Sequence, residues 1–319
     1  MINLEFNKNI IVEYNGIKIA LDPTRLDSEY TSFISHAHVD HLPRSKLDGD
    51  VIASNETIRI ASQRGIEIKN QKEPMFNIKM NPSGHILGSR SLYIDEELLY
   101  TGDFCTRENI FEQPAKPVKC KTLIVESTYG KPEFIFPPME QIIEQTHKLI
   151  SEYFDKGRPV VMLGYPLGRG QILTKIASTW EPLFVHDNIN EMNNAYIELG
   201  KDLPPNLATY SEAKKNGSLE KNPWIIIAPL RSAKSQLLKE LKYNYDAALI
   251  GFAGWAINPN YKYSMGFDNA LPLSDHCDFN ELVKYIKECS PEKIYTTHGY
   301  TIELASHLRE LGFDATSTK

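Results

Sequence analysis

The segment Ser35-His36-Ala37-His38-Val39-Asp40-His41 holds three imidazoles and a carboxylate within six residues. If the strand before it stays extended, alternate side chains share a face, so His36, His38 and Asp40 point the same way. His41, at the turn, swings to join them. Such a mix of nitrogen and oxygen ligands suits divalent metal, zinc above all, and the cluster is large enough for two adjacent ions. The bland alternative is a histidine-rich solvated loop.

One cluster cannot complete two sites, so further ligands must come from elsewhere in the chain. Candidates are His85 in Ser83-Gly84-His85-Ile86-Leu87-Gly88-Ser89, Asp103 in Thr101-Gly102-Asp103-Phe104, and His298 in Thr297-His298-Gly299-Tyr300. Each sits at the expected end of a strand, beside a glycine that lets backbone approach closely. Singly, each reads equally well as a core histidine or a turn aspartate; the cluster changes their meaning. Of nine histidines, His36, His38, His41, His85, His276 and His298 fall in such short segments. The others, His147, His186 and His307, lie in ordinary helix or strand patterns and read as structural.

Positioning these groups takes two kinds of element. The first quarter reads as strands: Ile2–Phe6, Ile10–Tyr14, Ile17–Leu21 and Ser32–Ser35, with Asn15-Gly16 as a hairpin turn. Val51–Ala53 and a helix over Glu56–Arg64 follow, then strands Phe76–Met80, Ser91–Ile94, Leu98–Thr101 and Thr122–Glu126. From about Pro137 the texture becomes strand alternating with helix. Helices are expected over Met139–Lys156, Gln171–Thr179, Asn190–Leu199 and Ser232–Leu241. Between them fall strands Pro159–Leu163, Leu183–His186, Trp224–Ala228 and Ala247–Phe252. That rhythm predicts a mostly parallel sheet. Helix, strand and helix over Asp278–Glu288, Ile294–Thr297 and Thr301–Leu311 close the chain.

The bulk numbers are those of a globular protein: 319 residues, 41% hydrophobic and 24% charged. Such a length accommodates one large domain or two ordinary ones. No apolar run reaches the ~18 residues of a membrane span, and the opening MINLEFNKNIIVEY breaks every short apolar run with Glu, Asn or Lys. A soluble, cytoplasmic protein with no membrane partner is therefore expected. Cys105, Cys120, Cys277 and Cys289 form no C-x-x-C pair, which supports neither a disulfide framework nor a zinc ribbon. A net charge of −6 argues against a broad basic surface that coats nucleic acid. It does not exclude a nuclease, because two bound zinc ions would add positive charge where phosphate must sit.

The H-x-H-x-D-H cluster with its later His, Asp and His resembles the metallo-β-lactamase superfamily. That resemblance implies an αββα sandwich in which His36, His38 and His85 hold one Zn2+ and Asp40, His41 and His298 a second. Asp103 bridges the two, and Mn2+ is an alternative metal. Asp22 in Leu21-Asp22-Pro23 matches an early aspartate of the family that orients a ligand from behind.

Three further features resemble the β-CASP nucleases of that superfamily. They are Glu126 in Val125-Glu126-Ser127-Thr128, His276 in Leu273-Ser274-Asp275-His276-Cys277-Asp278, and the long block between them. Glu126, His276 and His298 match the family's motifs A, B and C around an inserted α/β domain. Pro166-Leu167-Gly168-Arg169-Gly170-Gln171 matches a Gly-Arg turn in that insertion. The implied layout is a metallo-β-lactamase domain at 1–134 and 272–319, with a β-CASP domain at 135–271. The compact prokaryotic group, with its ligase-associated DNA exonucleases and 3′-end processing factors, is the nearest in length. His298 resembles the RNA-cleaving relatives more than the eukaryotic cross-link repair nucleases, which usually carry an apolar residue there.

The implied activity is exonucleolytic hydrolysis of DNA or RNA at its ends. A hydroxide between two metals, with Asp40 in the catalytic group, would attack phosphorus in line. His276 is the candidate acid for the leaving sugar oxygen, with Glu126 setting its tautomer and raising its pKa. Ser274, Arg169 and Arg231 are candidate phosphate contacts, and Tyr261 and Tyr263 are candidate stacking platforms. A thioesterase or lactamase acting on small molecules is the alternative, and an inactive scaffold a weaker one. Protein partners in a repair or RNA-processing complex are not legible.

Overall fold

A computed structural model describes residues 2–44, 49–75, 77–221 and 223–318. The chain divides into two compact units, Met1–Ile135 with Asp275–Lys319, and Phe136–Ser274. Among the described residues no helix is long and apolar enough to cross a membrane.

The first unit opens with β1 (Ile2–Phe6), β2 (Ile10–Tyr14) and β3 (Ile17–Leu21), paired antiparallel. Asn15 and Gly16, both at positive φ, make the two-residue turn between β2 and β3. β4 (Thr31–Phe33) and β5 (Val51–Ile52) extend this sheet in parallel. α1 (Asn55–Gln63) follows, its N-terminus capped by the Ser54 hydroxyl accepting from the Thr57 N–H. A second sheet starts with β6 (Ile78–Pro82), β7 (Arg90–Ile94), β8 (Leu98–Tyr100) and β9 (Thr122–Ser127). The expected strand at Phe76–Met80 begins on a residue outside those described.

The second unit holds α2 (Met139–Phe154), β10 (Val160–Gly164), α3 (Arg169–Ala177), β11 (Leu183–Val185), α4 (Asp187–Glu198) and α5 (Tyr210–Lys215). It continues with β12 (Ile225–Pro229), α6 (Gln236–Tyr245), β13 (Ala248–Phe252), α7 (Tyr261–Met265) and β14 (Asn269–Leu271). Its sheet runs β11-β12-β10-β13-β14 and is parallel throughout. The central strands VVMLG, IIIAP and ALIGF are buried along their whole length, as strands covered on both faces must be.

The chain then returns to the first unit with α8 (Phe279–Cys289), β15 (Lys293–Gly299), α9 (Thr301–Glu310) and β16 (Ala315–Ser317). These complete the second sheet in the order β16-β15-β9-β8-β7-β6. Val12, Ile19, Leu21 and Phe33 of one sheet pack with Leu92, Ile94, Tyr100 and Ile124 of the other. On the opposite face of the second sheet, Leu282 and Ile286 of α8 and Leu304 and Leu308 of α9 bury against Leu99, Leu123, Val125 and Ile294. The result is the expected α/β sandwich, whose β9 and β15 end at Ser127 and Gly299 beside the histidines.

Several elements depart from expectation. β4 stops at Phe33 rather than Ser35, because the Ser35 N–H is diverted to the Asp22 carboxylate at 2.6 Å. The histidine cluster therefore lies on a loop, and Asp40 sits in the turn closed by the His41 N–H to the His38 carbonyl. α6 begins at Gln236 rather than Ser232, since Ser232–Ser235 forms a turn of its own. The short elements α5, α7, β14 and β16 carry too few apolar repeats to show in the sequence. All four cysteines are buried free thiols.

Candidate metal centre

Asp22 anchors the site from behind. Its Oδ2 accepts hydrogen bonds from the Ser35 hydroxyl at 2.6 Å, the Tyr100 hydroxyl at 2.8 Å and His41 Nδ1 at 2.7 Å. A carboxylate can only accept from Nδ1–H, so Nε2, 3.4 Å from Asp103 Oδ2, is the His41 nitrogen left to bind a metal in place of its proton. His85 is fixed in the same sense. Its Nδ1 lies 2.9 Å from the Asp275 carbonyl oxygen, which accepts only, and this leaves the Nε2 lone pair facing inward.

That atom is 3.0 Å from His38 Nδ1, which is in turn 3.1 Å from His36 Nε2. Asp103 Oδ2 stands 3.5 Å from His36 Nε2 and 3.7 Å from His85 Nε2. Nitrogens sharing a tetrahedral zinc at ~2.05 Å would be separated by roughly 3.3 Å, close to the spacings here. Acceptor nitrogens this near repel one another unless a cation or proton lies between them. His36, His38, His85 and Asp103 therefore fit a metal ion, and their ligand atoms lie within 4.8 Å of one another.

The second expected set is drawn together through His41. Its Nε2 is 3.8 Å from Asp40 Oδ2, and its ring centre is 4.9 Å from that of His298. Asp40 is 72% exposed at its side chain and His298 is exposed, whereas His36, His41 and His85 are buried. His298 occupies a bulge where the β9–β15 register shifts, and its φ is +50°. The Ser127 hydroxyl donates to the His298 carbonyl and holds this conformation. Gly299 follows at φ +72°, where a Cβ would lie 2.4 Å from the Ser127 carbonyl oxygen. A second close approach is at Gly102, where a Cβ would meet the Ser35 side chain at 2.6 Å.

Electrostatics separate the imidazoles. Burial drives the His36 pKa well below its ordinary range. It takes His85 to about 3, with charge on His276 adding to the effect. Burial also opposes charge on His41, yet Asp103 and Asp22 beside it push that imidazole up to about 10. Asp103 loses hydration, but its contacts with His41 and His36 hold its carboxyl well below the usual range.

Next to this cluster lies a buried acid–imidazole pair. His276 Nδ1 is 2.9 Å and 3.0 Å from the two Glu126 carboxylate oxygens. Glu126, 1% exposed, also accepts from the Phe104 N–H at 2.8 Å and from the Thr128 hydroxyl. Burial works against charge on His276, but Glu126 outweighs it and raises the pKa to about 10. The His276 ring centre is 4.4 Å from that of His85.

Residues 268–316 match the family described as Zn-dependent metallo-hydrolase RNA specificity domain. The chain is 28% identical over 309 residues to a probable DNA ligase of Opitutus terrae, covering 89% of this chain and 28% of that protein. It is 26% identical over 340 residues to an RNase J-like protein of Methanocaldococcus jannaschii, covering 83% of this chain and 80% of that one. These similarities agree with the resemblance of the chain to the β-CASP group of the metallo-β-lactamase superfamily.

A crystal structure of a protein of unknown function from Enterococcus faecalis V583 shares the fold. Its TM-score is 0.62 at 15% identity, covering 95% of this chain and 94% of that one. The chain spans 28% of the length of the Opitutus protein. The remaining expected residues differ in exposure. Arg169 is 2% exposed, with its guanidinium 5.0 Å from the Tyr165 ring centre. Ser274 is buried, Arg231 and Tyr263 are exposed, and Tyr261 is half-buried.

His147, His186 and His307 have structural duties: a bond from Trp180, a cap on α4 and packing on Phe279. Ser35, Tyr100, Thr128 and Arg107 are bonding partners of the candidate residues that the sequence did not reveal. Only Ser35 and Thr128 had a signal, each lying within two residues of a motif residue.

Proposed function

We propose that this chain is a metal-dependent nuclease that hydrolyses phosphodiester bonds at the ends of nucleic acid. The observation that carries the reading is the Glu126–His276 pair set against the histidine cluster, with the rings of His85 and His276 4.4 Å apart. A thioesterase has no need of a buried proton donor beside its metal ligands, because thiolate departs readily without one. A sugar oxygen does need one.

In this reading His36, His38 and His85 hold one Zn2+, while Asp40, His41 and His298 hold a second, with Asp103 shared and Mn2+ as an alternative. Bound there, the pair supplies an activated water and positive charge for the phosphoryl oxygens. The chain's own residues do the rest. Asp22 keeps the His41 tautomer fixed through Nδ1, and the Asp275 carbonyl does the same for His85. Glu126 holds His276 by Nδ1 and favours its protonated form, leaving Nε2–H to donate to the departing oxygen. Met1–Ile135 with Asp275–Lys319 would be the metallo-β-lactamase domain, and Phe136–Ser274 the inserted β-CASP domain. Ser274, Arg169 and Arg231 are the candidates for phosphate contact.

The name of the Opitutus relative supports DNA as the strand, and a cytoplasmic setting agrees with it. The RNase J-like relative supports RNA as the second reading. The class is tested by assaying the zinc-loaded protein on oligonucleotides, a thioester and a β-lactam side by side. Turnover of oligonucleotides alone supports the proposal, and turnover confined to either small molecule overturns it.

A further inference from the structure

Arg107 lies four residues beyond Asp103 and belongs to none of the motifs. One of its terminal nitrogens, Nη2, donates to the backbone carbonyl of His276 at 2.6 Å. The other, Nη1, pairs with the Glu281 carboxylate. Glu281 is the N3 residue of α8, where its carboxylate also accepts from the Asp278 N–H, while Asp278 accepts from the Glu281 N–H. The guanidinium fork thus ties three things together: the segment after Asp103, the carbonyl of His276 and the first turn of α8. The Cys277 N–H adds a bond to the Phe104 carbonyl at 3.0 Å, so the loop is held to the same segment on both sides.

We infer that Arg107 is a positioning residue for His276, setting the height of its backbone so that the imidazole meets Glu126 with Nδ1 and presents Nε2 outward. A planar, two-pronged cation does this better than a point charge. A lysine reaches one partner as a point charge, whereas the fork grips the carbonyl and the carboxylate at fixed angles. The His276 side chain has no other covalent anchor than its own backbone. A shift of that carbonyl therefore passes directly to the Nδ1–Glu126 contact, and a misplacement of about 1 Å costs on the order of 10²-fold in rate. The inference rests on the reading of His276 as the proton donor.

The test compares Arg107→Ala, Arg107→Lys and His276→Ala, all zinc-loaded, on an oligonucleotide and on a p-nitrophenyl phosphodiester. Arg107→Ala should lower kcat on the oligonucleotide by about 10- to 100-fold with KM and zinc content near wild type. Arg107→Lys should recover part of that loss. On the nitrophenyl ester, whose leaving group needs no proton, the deficit should shrink. In the double variant with His276→Ala, loss of Arg107 should add nothing further. Equal deficits on both substrates, or losses that multiply in the double variant, would overturn the inference.

A readout independent of turnover separates this from failure of the nuclease reading. The far-downfield proton resonance of an imidazole Nδ1–H bonded to a carboxylate should be present in wild type and absent in Glu126→Gln. It should be shifted or lost in Arg107→Ala while the thermal transition stays cooperative. An unchanged resonance in Arg107→Ala would reject the positioning role even if the protein cleaves no nucleic acid.

Discussion

Nδ1 of His276 sits 2.9 Å and 3.0 Å from the two oxygens of Glu126, a carboxylate 1% exposed and also bonded by the Phe104 N–H. A donor held to both oxygens at once cannot rotate, and a buried carboxylate beside an imidazole favours the imidazolium. The pair therefore fixes both the direction and the charge of His276, the two properties that a proton donor needs.

Removing the imidazole separates acid from ligand. His276→Ala should keep near-normal metal while slowing cleavage of nucleic acid by about 10²–10⁴-fold. A p-nitrophenyl phosphodiester should be affected far less. A variant that loses metal, or shows equal deficits on both substrates, would assign His276 to the metal instead.

The pH profile carries the sign of the Glu126 contact. The active form is protonated His276, so the rate holds below its pKa and falls as pH rises through it. The Glu126 contact is what raises that pKa toward about 10 against the opposing effect of burial. Glu126→Gln should move the alkaline limb to lower pH. A limb that stays in place or moves up would contradict the assignment.

Asp103 is the carboxylate proposed to serve both ligand sets, with Oδ2 3.4 Å from His41 Nε2 and 3.5 Å from His36 Nε2. Elemental analysis of gently purified protein should find about two zinc ions per chain. Asp103→Ala should lower that content more than any other single ligand change. Equal losses for His85→Ala and Asp103→Ala would argue against a shared ligand.

Asp22 is expected to act on the metal without touching it. Asp22→Asn can still accept from Ser35 but no longer favours the Nδ1–H tautomer of His41 by charge. Metal affinity or activity should fall by about 10- to 100-fold, as for other partners of ligating histidines. Competition with a chromogenic chelator would measure it, and unchanged affinity would remove Asp22 from the account.

Much of this was legible because local pattern and global fold agree. The hairpin at Asn15-Gly16, the apolar strands of the second unit and the ligand-bearing Gly-flanked turns announce themselves in short windows. What stayed hidden depends on partners distant in sequence. Tyr100 meets Asp22 across 78 positions, and Arg107 meets His276 across 169, separations that periodicity cannot bridge. β4 ended early for the same reason: the Ser35 N–H that would have carried it on found the Asp22 carboxylate 13 positions back.

The central claim is hydrolysis of nucleic acid by the metal-loaded chain. The direct measurement is degradation of end-labelled single- and double-stranded DNA and RNA, before and after chelation and with zinc or manganese restored. The account predicts shortening of at least one of these substrates from an end, abolished by the chelator and recovered with metal. Intact substrates with fully metal-loaded protein, or cleavage that survives complete metal removal, would contradict it.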